Sequence, residues 1–295
     1  MKIFAPEYYK DFKCIADRCR YSCCVGWEID VDREALSRFE SLGDAGKEII
    51  DSVDFSLDTP HFRLDANERC PHLDGSGLCR IISRHGEDYL CDICREHPRF
   101  YNFPGGRAEV GLGAACEEAA RLILECDTYF RITEVGQELS EEEAEREFDA
   151  VDARGVIYQI LSERGIPYKE RLARICGVYK ISPDILSDSD WRAVISELEY
   201  IDEKNKYLFL CYSSFSESEA EEYAERAFAY FIYRHTGSAD TYAEFLISVG
   251  LALFLERLFV SLVQSGALPQ DALRIISEEI EYSEENTERI KNEFL

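Results

Sequence analysis

Ten of the twelve cysteines in this chain precede residue 127, and eight of those crowd between Cys14 and Cys94. Cys14, Cys19, Cys23 and Cys24 form a C-x4-C-x3-C-C run; Cys91 and Cys94 form a C-x2-C knuckle with His97 three residues on. Two thiols a few residues apart can reach one metal ion, and scattered core cysteines rarely repeat such spacings, so the array reads as metal-binding. Soft thiolates suit zinc or an iron–sulfur cluster, and four ligands satisfy either. Structural zinc sites often pair two knuckles, whereas this chain has one. The irregular first run fits a [4Fe–4S] cluster better than zinc, with three ligands supplied locally and one from afar. The spacing first assigns Cys14, Cys19 and Cys23 with Cys91 or Cys94. Cys70 and Cys79, flanking a turn, close the same site or a second one. Neighbouring side chains diverge, so Cys23 and Cys24 are not expected on one metal.

Other residues carry weaker signals. His97 is a metal ligand, a partner for a cluster sulfur, or a helix cap before Pro98. With Arg99 it forms the candidate cofactor contact. Gly111-Leu-Gly-Ala-Ala-Cys116 lacks the third glycine of a dinucleotide fingerprint, and Glu117 and Glu118 would repel a phosphate there, so it reads as a turn between strand and helix. Cys116 opens that helix, where a thiolate is stabilised. Cys126, Cys176 and Cys211 sit on helical faces and read as core. Arg234-His235 ends an aromatic helix, which core packing and a cationic cap explain. Spacing reveals no Ser-His-Asp or paired-carboxylate arrangement.

The elements that must position these residues divide near residue 130. Residues 1–130 form a turn-rich, cysteine-rich α+β region, and residues 131–295 a helical domain, so the fold class is mainly α. Short strands are expected at Gly26–Asp32, His61–Leu64, Leu78–Ile82 and Arg107–Gly111. Helices are expected over Arg33–Val53 with a break near Gly43 and Gly46, over Glu87–Glu96, and over Ala114–Phe130. Later helices are expected from a Ser140–Glu143 capping box to Arg164, then over 167–180, 189–206, 216–235, 240–264 and 269–294. Pro167, Pro183 and Pro269 punctuate them.

The 295 residues suffice for one large domain or two ordinary ones, so covalent staples are not needed for size. No apolar stretch follows Lys2 as in a signal peptide, and the longest apolar run, Phe245–Leu255, is short for a membrane span. The expectation is a cytoplasmic protein with no membrane partner. A formal charge of −26 repels nucleic-acid phosphates and favours cationic partners.

Four separated stretches, YYKDFKCIADRCRYSCCVGWEIDVD, RCPHLDGSGLCRI, YLCDICREHPRF and EVGLGAACEEAARLIL, occur in one order. Together they resemble the flagellin lysine-N-methylase family, within a wider group bearing a C-x(n)-C-C cysteine cluster. The resemblance covers about residues 4–125. It implies methyl transfer from S-adenosylmethionine to lysine on flagellin, with an iron–sulfur cluster. By motif it places the family's cysteines on Cys14, Cys19, Cys23, Cys24, Cys70, Cys79, Cys91, Cys94 and Cys116. The chain departs from other methyl-transfer enzymes. After Cys19-x3-Cys23, Gly26 stands where a radical S-adenosylmethionine loop needs cysteine, and no glycine-rich strand-turn-helix is present. The rival reading is a non-enzymatic module, in which zinc or a cluster staples a helical interaction or redox-sensing domain.

Overall fold

The structure, a computed structural model, describes residues 1–137, 148–182, 184–213 and 221–295. The strands are β1 (Lys2–Pro6), β2 (Val53–Asp54), β3 (His61–Phe62), β4 (Arg99–Asn102), β5 (Arg107–Leu112) and β6 (Ile132–Gln137). The first helices are α1 (Arg33–Ser41), α2 (Asp44–Ile50), α3 (Arg80–His85), α4 (Asp92–Glu96) and α5 (Glu117–Glu125). They are followed by α6 (Ala150–Leu161), α7 (Tyr168–Tyr179), α8 (Asp188–Glu197), α9 (Glu203–Phe209) and α10 (Glu221–Thr236). The last are α11 (Tyr242–Gln264), α12 (Pro269–Ile276) and α13 (Glu284–Lys291). The protein is mainly α, as expected.

Two compact units form: Lys13–Pro98, and Met1–Phe12 with Arg99–Leu295. Neither boundary lies near residue 130, because β1 pairs antiparallel with β6 and parallel with β5, joining strands from both sides of that position.

In the unit Lys13–Pro98, Asp32 organises the local chain. Its carboxylate accepts from the amide of Ala35 at 2.7 Å, capping α1, and from the amide of Asp92 at 2.7 Å, at the start of α4. The helix expected over Arg33–Val53 breaks at Gly43, whose φ of 61° favours glycine. Phe39, Ile49, Val53, Phe62 and Ile81 fill the core. Two expected strands differ. Gly26–Asp32 forms no strand: it carries one isolated bridge, Asp30 with His61, and is preceded by another, Val25 with Arg69. Leu78–Ile82 instead enters α3, because Asp74 closes the preceding turn by accepting from the amides of Ser76 (2.8 Å) and Leu78 (3.0 Å).

The other unit builds the sheet β4-β5-β1-β6 and its helical layer. Tyr233 of α10 donates its hydroxyl to the Val110 carbonyl on β5 at 3.1 Å, pinning helix to sheet. The capping box and Pro183 lie outside the described residues. The helix expected after that box is described from Ala150, where Asp149 caps it by accepting from the amides of Val151 (3.0 Å) and Asp152 (2.9 Å). The helix expected over 189–206 is two, α8 and α9, and that over 269–294 is interrupted by a π-helical segment, Ser277–Glu281. α11 continues through Glu256 and Arg257 to 23 residues, and its most apolar 18-residue window has a mean hydropathy of 2.1. It is long and apolar enough to cross a membrane, but 78% of its most apolar window is buried inside the protein. It therefore has the burial of a core helix.

Candidate metal centre

Two short helices and one backbone hydrogen bond gather the thiols. Cys79 occupies the N-cap of α3, Cys91 the N-cap of α4, and Cys94 lies within α4. The amide of Cys70 donates to the Cys24 carbonyl at 2.8 Å, bringing the first run to the second. Cys70 and Cys91 are buried in the apolar core of the unit Lys13–Pro98, and Cys24, Cys79 and Cys94 pack against it.

Their chemistry differs by position. The Cys23 thiol hydrogen-bonds that of Cys24 and lowers it to about 7, aided by Ser22 and the positive charge of Arg69 and opposed by burial. Burial pushes Cys70 up to about 12, and Cys24, Cys94 and Cys79 add to the rise. The hydrogen bond with Cys91, then burial, hold Cys94 well above an ordinary thiol. Burial also raises Cys79, offset in part by the Ile82 and Ile81 amides at the start of α3. These thiols disfavour one another's ionisation, and a soft cation would reverse that sign. By donor type the five thiols fit zinc or an iron–sulfur cluster. Among the described residues, however, no three His, Cys, Asp or Glu side chains stand at metal-holding spacing. The fit is one of chemistry and neighbourhood; the thiols would have to draw together around an ion.

The remaining candidates lie differently. Cys14 is exposed, its sulfur accepting from the Ala16 amide at 3.4 Å; Cys19 donates to the Tyr21 carbonyl at 3.2 Å; Cys23 is exposed beside Cys24. From the first run, only Cys24 packs against the core cluster. Cys116 belongs to the other unit, where it caps α5. His97 ends α4, its amide donating to the Ile93 carbonyl at 3.1 Å. Arg99 opens β4, donates from Nε to the Tyr9 hydroxyl at 3.0 Å and lies over the Tyr9 and Phe12 rings. Gly111 lies within β5 opposite Phe100, whose ring a Cβ there would meet at 2.3 Å, and the expected strand-to-helix turn follows it, between Leu112 and Glu117. Cys126, Cys176 and Cys211 pack against the helical core as expected.

Sequence reasoning missed Asp32, whose double cap sets α1 and α4 together, and Arg69 beside Cys24. It also missed Glu281 at the end of the π-helical segment. Glu281 is buried, and the charge of Arg234 and the hydrogen bond with His235 (2.8 Å) overcome burial and hold its carboxyl near 2. Nothing local signals it, since Glu281 stands among Glu278, Glu279, Glu284 and Glu285.

No protein-family model matches the chain, and no solved structure does. Among curated proteins it is 28% identical over 126 residues, 40% of its length, to a Lysine-N-methylase of Salmonella choleraesuis (strain SC-B67). The same identity and extent hold for a Lysine-N-methylase of Salmonella typhimurium (strain LT2) and for the "Flagellar biosynthetic protein FliU" of Salmonella muenchen. The match spans 31% of each Lysine-N-methylase and 75% of FliU. Over two-fifths of its length, then, the chain is similar to proteins named Lysine-N-methylase, and it spans about a third of their length.

Proposed function

We propose that the chain methylates the ε-amino group of lysine on a flagellin-type protein, with S-adenosylmethionine as donor and a thiolate-held iron–sulfur cluster. The observation that carries this reading is the match to the Lysine-N-methylases in a chain whose second thiol run meets Cys24 in one core. Cys24, Cys70, Cys79, Cys91 and Cys94 are the residues that would hold the cluster. A cluster held by three of these thiols would keep one iron free of thiolate, and that iron would supply a Lewis acid for the amino-acid end of S-adenosylmethionine.

The substrate amine must be neutral to attack, so burial or a base removes its proton first. Its nitrogen then bonds the methyl carbon as the donor's S–C bond breaks, the electron pair staying on sulfur. A net charge of −26 draws lysine-bearing segments toward the protein. The expected setting is the cytoplasm, without nucleic-acid or membrane partners.

A second reading, a redox-responsive module without transfer activity, is favoured by the hydrogen-bonded Cys23 and Cys24 thiols. Anaerobic purification with iron and sulfide analysis, then electron paramagnetic resonance with and without S-adenosylmethionine, separates the two. Iron, sulfide and a signal perturbed by S-adenosylmethionine, followed by methyl mass increments on flagellin lysines, are expected. Zinc alone with no response would remove the methylase reading.

A further inference from the structure

The unit Lys13–Pro98 contains a small recess with no cysteine in its wall. It has a volume of about 70 Å³ and lies between α2 and α3, with Glu48, Ile49, His72, Arg80, Arg84 and His85 in its wall. Arg80 and Arg84 are four residues apart on α3 and share a face. Ile81, 3% exposed, anchors the helix in the core beneath them.

The floor is built rigidly. His72 is 7% exposed, its ring set edge-on to Phe62 with centroids 4.8 Å apart. Its Nε2 lies 2.9 Å from the Ser52 hydroxyl, and that hydroxyl also bonds the Ile49 carbonyl. The Arg80 guanidinium is steadied by the Pro71 carbonyl. Arg80, Arg84 and Glu48 all lie within electrostatic reach of the His72 ring. The only opposing charge in the wall is Glu48, whose carboxylate stands 3.9 Å from Arg84 with both side chains largely exposed. Such a pair is weak and easily opened.

We infer that this recess binds a small oxyanion, the phosphate or carboxylate group of a ligand, with Arg80 and Arg84 as its charged contacts and the His72 and His85 rings in its wall. Guanidinium forks match the paired oxygens of either group. In a chain of net charge −26, a wall that carries two arginines against one glutamate is locally cationic. The inference is independent of methyl transfer.

The test is nuclear magnetic resonance of the five histidines in the 295-residue chain, at fixed pH and ionic strength, titrated with inorganic phosphate, with acetate, and with chloride. His72→Gln and His85→Gln assign the signals. Saturable shifts of His72 and His85 with phosphate, acetate or both are expected and identify which oxyanion is taken. Arg84→Gln, a change at an exposed side chain, is expected to weaken that binding roughly tenfold, from the loss of one charge-assisted contact. Arg80→Lys, which keeps the charge but loses the fork, should weaken it less. Shifts that match those from chloride, or an affinity untouched by Arg84→Gln, would overturn the assignment.

Discussion

The amide of Cys70 hydrogen-bonds the carbonyl of Cys24 at 2.8 Å, and that bond couples the two halves of the cysteine array. It is flanked by Gly26 donating to Glu68 at 2.9 Å and by the Val25–Arg69 bridge, so Cys24 is tied to the second run, whereas the bonds given for Cys14 and Cys19 stay within the first. Serine substitution should therefore sort the cysteines. Cys70→Ser, Cys79→Ser and Cys94→Ser are expected to lose most of the bound iron on anaerobic purification, while Cys14→Ser and Cys19→Ser retain it. Equal losses across both groups would return the centre to the exposed run.

Packing around the same unit gives a second prediction. Alanine is ordinarily preferred to glycine within a helix by about 1 kcal/mol. At Gly46 of α2, however, a Cβ would stand 1.7 Å from the Phe39 carbonyl oxygen, a backbone atom. Gly46→Ala should cost roughly 1–3 kcal/mol despite its better propensity. At Gly155 of α6 nothing lies within 4 Å of the added Cβ, and Gly155→Ala should stabilise by about 0.4–1 kcal/mol. Urea midpoints of the two variants, shifting in opposite directions, check the pair.

These positions also show what the chain makes legible. α7, α11 and the start of α12 follow from prolines, glycines and apolar periodicity, because those signals act within a few residues. What those signals do not show is how α11 accommodates Glu256 and Arg257: Tyr168 donates to Glu256 at 3.2 Å and Asp184 accepts from Arg257 at 2.7 Å, contacts that only long-range packing creates. β1, β4 and β6 carry no strong alternation, and their pairing depends on partners far along the chain. For the same reason the spacing found the cysteines but paired Cys14, Cys19 and Cys23, while the core gathers Cys24 with Cys70, Cys79, Cys91 and Cys94.

The helical unit rests on a buried ion pair. Arg154 holds Glu109 with two hydrogen bonds, Nη1 to Oε2 at 2.8 Å and Nη2 to Oε1 at 2.5 Å, and both side chains are almost fully buried. Burial opposes ionisation of Glu109, but Arg154 and Arg107 outweigh it and hold its carboxyl below the usual range. Glu109→Gln leaves Arg154 buried without its charge partner and should cost about 3–5 kcal/mol. Glu109→Leu with Arg154→Met should cost less than the sum of the single changes, as a double-mutant cycle in urea would record. Additive losses would show that the two residues act separately.

Glu256 reverses this logic. It sits in the apolar middle of α11, 5% exposed, with the Tyr168 hydroxyl as its hydrogen-bond partner. Burial raises its carboxyl to about 7, outweighing the charge of Arg257 and the Tyr168 bond. Since the folded value exceeds the unfolded one, the protonated group favours folding fully below about 4.5, and that contribution is lost as pH rises through 7. The shift corresponds to roughly 3 kcal/mol. Glu281 and Glu109 are shifted the other way and lose their contribution only under more acidic conditions, so they leave this window clear. Glu256→Gln keeps the shape and removes the proton, so its stability relative to the parent should climb by about 3 kcal/mol between pH 4.5 and 8. Urea unfolding at several pH values measures this directly, and parallel curves for the two proteins would mean that Glu256 is ionised in the folded state.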